Sequence, residues 1–183
     1  MIKDSIALNR VLRGYVRVRN EAGVEVHSHN LVVYNGGDII AKLLGGNEEY
    51  RISHMYFAYE NTVGVPAPPA AARSDTAATT FHALAPPDDF LRAPVLDPPQ
   101  YQAADANHLF NRVIFNAIAS DTVGVLGLPF GAANNSKVYG VGLIAAPTGA
   151  YLGDLLYAYF VLPTALPAAG SGQISASWAT EAN

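Results

Sequence analysis

Apolar and polar positions alternate along much of this chain, and the period is two. From Val11 to Arg19, Tyr15, Arg17 and Arg19 share one face while Val16 and Val18 share the other, the pattern of a half-buried strand. Asn20-Glu21-Ala22-Gly23 reads as a hairpin loop, and Val24, Val26 and Ser28 continue the alternation on a returning strand. Ile52 to Tyr59 places Met55, Phe57 and Tyr59 on one face and His54, Tyr56 and Ala58 on the other. With few charges on either side, this strand is expected to be central, or sandwiched between its sheet and a neighbouring subunit. Asp89 to Val95 predicts a short strand ended by Pro94, and Asn107 to Ala119 a long one. Lys137 to Ala146 follows, with Gly140 and Gly142 inviting a bulge or a close backbone approach. Leu155 to Leu162 is nearly continuous and apolar, as a buried strand is, and Ile174 to Thr180 alternates again around Trp178.

The period changes once, in His29 to Gly46 (HNLVVYNGGDIIAKLLGG). Leu31, Val32 and Val33 suit a strand. Asn35-Gly36-Gly37 suits a sharp turn, because both residue types tolerate positive φ. A short helix is expected to follow, with Asp38 in its first turn, one apolar face of Ile39, Ile40, Leu43 and Leu44, and a left-handed cap at Gly45-Gly46. So short a helix needs a sheet to pack on. The rest is loop. Glu60 to Pro87 is an Ala/Pro/Thr-rich stretch with no period, expected to be disordered or laid down on a partner. Leu96 to Ala106 is a second such loop. Asp121 to Ser136 carries apolar Leu126, Leu128 and Phe130, so it is expected to be tucked down, and Pro163 to Gly172 reads as a flexible bend.

These segments predict a mainly β chain: seven or eight strands in an antiparallel two-sheet β-sandwich, jelly-roll-like, with one short helix and long Pro/Ala-rich loops. One domain over 1–183 is expected, with an N-terminal hairpin at about 11–28 and an extended loop insertion at about 60–106. The strand order is not readable from the sequence.

Composition changes the picture mainly at the surface. Only 14% of the residues are charged while 50% are hydrophobic, so part of the apolar surface is expected to lie against another subunit. A net charge of −4 gives no basic excess for nucleic acid or an anionic membrane. The absence of cysteine rules out disulfides, thiolate metal sites and a cysteine nucleophile. No secretory leader and no uninterrupted apolar span is recognised, so a soluble chain is expected.

Candidate chemistry is sparse. His27 and His29 form an H-x-H pair, more simply read as two half-exposed histidines beside the turn than as metal ligands. Asp88 and Asp89 point to opposite faces of a strand, which suits turn capping better than acid–base work. Gly140-Val141-Gly142 lacks the third glycine and the helix of a dinucleotide fingerprint. Ser171, Ser175 and His108 have nothing to bring them together as a hydrolytic set. Arg13, Arg17 and Arg19 around Tyr15 are expected to form a solvated strand face or ion pairs with Glu21 and Glu25 across the hairpin, rather than a nucleic-acid contact. Trp178 is expected between the sheets, a sugar-stacking role being its competing reading. No cofactor and no metal site is assigned.

Taken in order, HNLVVYNGGDIIAKLLGG, ISHMYFAYEN, DDFLRAPV, FNRVIFNAIA, SKVYGVGLIAAP and GQISASWAT resemble a group of virion structural proteins from tailed bacteriophages. The resemblance implies a non-enzymatic protein located in the virion. It implies a capsid decoration or cement protein, often trimeric, with copies of itself and the major capsid protein as partners. A tail, collar or fibre-associated role is the alternative, and a carbohydrate-binding sandwich is a second one. The interface residues expected on this basis are Tyr56, Tyr59, Val65, Pro66, Pro68, Pro69, Pro98, Pro99 and Tyr101.

Overall fold

The computed structural model describes residues 12–29, 31–61, 70–102, 111–120 and 123–182. Their strands are β1 (Leu12–Asn20), β2 (Glu25–His29), β3 (Leu31–Val32), β4 (Ile52–Glu60), β5 (Asp88–Pro94), β6 (Gln100–Gln102), β7 (Arg112–Ala119), β8 (Lys137–Ala145), β9 (Leu155–Pro167) and β10 (Ile174–Ala182). They form two five-stranded sheets in the orders β2-β1-β10-β7-β6 and β3-β9-β8-β4-β5. Every pairing is antiparallel. The chain is an antiparallel two-sheet β-sandwich, as the alternation predicts.

The core follows from that alternation. Val16 and Val18 of β1, Ala117 of β7, and Ile174, Ala176 and Trp178 of β10 face Met55, Phe57 and Leu143 of the second sheet. Trp178 is fully buried at the register Val16↔Trp178↔Phe115, so it is an inter-sheet core residue, closed to any sugar.

The second sheet is covered on its outer side as well. Tyr56, Ala58, Phe90, Tyr139, Ile144, Leu156 and Tyr159 form a second apolar cluster with Ala77 and Phe81, against which Ala71 and Leu84 pack. The cover is residues 70–87, which contain a short π-helical turn, Ala78–His82. This corrects the expectation for the Ala/Pro/Thr stretch: its residues 70–87 lie on their own chain. Phe81 supplies the reason, since its ring meets those of Tyr56, Phe90 and Tyr159 edge-on at 5.0, 5.6 and 5.4 Å. Gly142 makes the room: a Cβ there would stand 2.8 Å from the Phe81 ring.

The helix α1 (Tyr34–Leu44) starts earlier than expected and contains the Asn35-Gly36-Gly37 segment. Gly36 serves close packing rather than a turn, for its Cβ would lie 2.5 Å from the Tyr157 carbonyl oxygen of β9. The cap is as predicted. Gly46 has φ +86, its N–H donates to Leu43 O, and the Asn47 N–H donates to Lys42 O, the paired bonds of a Schellman motif.

Strand β9 also runs past its expected end, through Pro163. Pairing with β8 passes from Gly140↔Val161 to Val138↔Leu166, so 162–165 bulge out, and Pro163 sits where no ladder N–H is required. The 123–130 loop is tucked down, and Phe130 is buried in the main core.

Candidate functional site

Three surfaces and clusters merit attention. At one end of the sandwich the two sheets part. The C-terminal turn of α1, the start of β4, the end of β5 and the inner edge of β7 there enclose a groove of about 730 Å³. Pro98, Pro99 and Tyr101 line it together with Leu43, Val95 and Phe115. The sequence therefore places three of its expected interface residues at one spot, and Tyr101 is 61% exposed. Leu44, which follows Leu43 on the helix, is 86% exposed, and Leu96, which follows Val95, is 53% exposed and lines a separate depression on the outer face of the first sheet.

Leu43 and Leu44 correct the helix expectation, because only Ile39 of the predicted apolar face is fully buried. The signal was present in the spacing. At about 100° per residue, Leu44 stands about 140° around the helix from Ile39, outside a single packed stripe.

Two other expected interface residues are corrected outright. Tyr56 and Tyr59 are both fully buried within the chain. Tyr59 belongs to the main core, and its hydroxyl donates to Leu128 O. Tyr56 lies under the cover segment, and its hydroxyl donates to the Asp154 carboxylate. Both rings are taken up by the second sheet and its cover, which leaves nothing for a partner. Val65, Pro66, Pro68 and Pro69 lie outside the described residues.

Buried polar groups form two clusters, one on each side of this sheet. On the outer side Asp154 accepts from Tyr56 and from Arg92 Nε at 2.8 Å and Nη2 at 3.2 Å. Arg92 also donates to the Gly149 carbonyl. Burial, with the Arg92 charge, lowers the neighbouring His54 pKa, and burial lowers that of His82. At the end opposite the groove, buried Asp89 accepts from the backbone N–H groups of Phe90, Leu126 and Leu128 at 2.7, 2.9 and 2.8 Å. It pins the 123–130 loop rather than capping the turn before its own strand, a correction that comes from the loop lying against β5. Beside it the register sets Glu60 against both Asp88 and Lys137. Burial raises the pKa of both carboxyls. Asp154 and Asp89 each hold a packed segment, whereas His82 Nε2 and Asp88 Oδ1 are buried without a hydrogen-bond partner.

The outer face of the first sheet is the third surface. Arg17 pairs with Glu25 at 3.2 Å, as expected across the hairpin. Glu21 instead accepts from the Ser171 backbone N–H at 2.7 Å and from its hydroxyl. The Tyr15 and His29 rings stand 4.7 Å apart, which gives His29 a packing role on this face. Among the described residues no group of three or more His, Cys, Asp or Glu side chains is arranged for a metal ion, and no helix is long and apolar enough to cross a membrane.

No family model, no curated protein and no solved structure matches the chain.

Proposed function

We propose that this chain is a non-enzymatic structural protein of a tailed-phage virion, acting as a capsid decoration protein that stabilises the shell through subunit contacts. Its partners in this reading are copies of itself, as a trimer, and the major capsid protein. The observation that carries the reading is the apolar end of the sandwich. Tyr101 stands exposed in a groove lined by Leu43, Val95, Pro98, Pro99 and Phe115, and Leu44, next to Leu43 on the helix, is 86% exposed, on a chain with few charges to keep such a surface in water. The resemblance of the sequence segments supplies the virion context. Asp154 and Asp89, each tied up in holding a segment, agree with a protein that works by docking.

Copy number tests it. Quantifying this chain against the major capsid protein in purified particles is expected to give hundreds of copies per particle. A dozen or fewer would move the protein to the tail, collar or fibre, and none would remove it from the virion.

A further inference from the structure

The outer face of the first sheet has a shape that the proposed function leaves unused. Down its middle runs β10, whose outward residues Ser175, Ser177 and Ala179 are small. Arg17 and Arg19 of β1 rise on one side, and Ile114 and Ile118 of β7 on the other, by the registers Arg17↔Ser177, Arg19↔Ser175, Ala179↔Ile114 and Ser175↔Ile118. The result is a valley of two adjoining depressions, about 500 and 280 Å³, which share Arg17 and Ser177. Two strand spacings make it about 10 Å from wall to wall, and Ser175 to Ala179 makes it about 14 Å long. That is room for one extended chain.

The two walls differ in chemistry. One is cationic, and Arg17 remains 66% exposed even while it meets Glu25. The other is mainly apolar: Ile114 and Ile118 (44% exposed) flank Asn116, which stands opposite Ser177, and Leu96 lies beside them. An extended segment throws successive side chains to opposite sides. The segment that matches both walls therefore has a period of two.

We propose that this valley binds an extended acidic polypeptide segment in which carboxylates alternate with aliphatic side chains, the carboxylates facing Arg17 and Arg19 and the aliphatics facing Ile114 and Ile118. The sign of the face supports an acidic occupant. On a chain of net charge −4, Arg17 and Arg19 stand here against Glu25 alone on the hairpin's outer face, among the described residues. Ser175 and Ser177 offer hydroxyls to the occupant's backbone carbonyls. A nucleic acid strand would meet its phosphates on one wall only; the Tyr15 and His29 rings in the larger depression offer its bases a stacking surface, and the oligothymidylate arm of the test decides between the two. This inference goes beyond the virion reading and does not depend on it.

The test is fluorescence anisotropy of the full chain with two labelled ten-residue peptides, one alternating Asp and Val and one with five Asp followed by five Val. The alternating peptide is expected to bind at least about tenfold more tightly, and more weakly in 0.5 M salt. Arg17→Glu combined with Arg19→Glu is expected to weaken it by about tenfold or more. Ser177→Trp, which fills the valley and keeps every charge, is expected to do the same, and it decides the matter if the charge reversal unfolds the chain. Equal binding of the two peptides, indifference to Ser177→Trp, or equally tight binding of an oligothymidylate of matched charge would overturn the proposal.

Discussion

Asp89 shows how much one side chain can hold. Its carboxylate is fully buried and accepts three backbone N–H bonds, two of them from the 123–130 loop, whose Val125 N–H also donates to the Phe90 carbonyl of β5. Asp89→Ala leaves those donors unsatisfied in the interior, so a loss of about 3–5 kcal/mol is expected in urea unfolding. A loss under about 1 kcal/mol would mean that the loop holds itself. Asp88 behaves differently, because burial raises its pKa. A carboxyl raised on folding contributes stability that is complete below its unfolded pKa and is lost as pH rises through the folded one. Asp88→Asn is therefore expected to gain on the wild type in melting temperature between pH 4 and pH 7. A constant difference across that range would contradict the assignment. The sequence shows Asp88 and Asp89 as neighbours on opposite faces, and that much is visible in the order of residues. It does not show that a loop more than thirty residues on lays two amides on Asp89, since that contact depends on the sheet order.

At the scale of elements, the strands were legible wherever period-two alternation met a half-buried sheet. β1, β4, β8 and β10 lie within a residue or two of the expected positions, and the Gly45-Gly46 cap is where the glycines place it. The misreadings share a cause, namely that long-range packing reassigns a residue whose local chemistry suggests something else. Asn35-Gly36-Gly37 looks like a turn, yet Gly36 is glycine because α1 lies against the β9 backbone. Pro163 looks like a strand end, yet a bulge absorbs it. The Ala/Pro/Thr stretch has no period, yet one aromatic, Phe81, fixes its second half in a gap left by Gly142. Gly36→Ala tests this reading. Helix propensity alone favours alanine by about 1 kcal/mol. The contact with the Tyr157 carbonyl predicts instead a net loss of about 1–3 kcal/mol. Phe81→Ala is expected to cost about 3–5 kcal/mol and to raise amide exchange across residues 70–87. Unchanged exchange there would show that the cover is held by other contacts.

For the whole molecule, the Asp89-pinned loop packs at one end of the sandwich, and the groove with exposed Leu43 and Tyr101 lies at the other. Of the residues expected at an interface, Pro98, Pro99 and Tyr101 fall at that groove, and Tyr56 and Tyr59 belong to the interior. The distinction was hidden because an aromatic strand with few charges reads alike whether its second face meets a partner or its own chain. Since Leu44 and Tyr101 carry little of the fold, Leu44→Asp with Tyr101→Ser is expected to leave urea unfolding within about 0.5 kcal/mol of wild type. The same double variant is expected to lower occupancy on particles. The most direct measurement is a reconstruction of the assembled particle that resolves this chain. The account predicts many copies on the shell, each with Leu44 and Tyr101 buried against another subunit. Copies seated elsewhere, with that end turned to solvent, would contradict it.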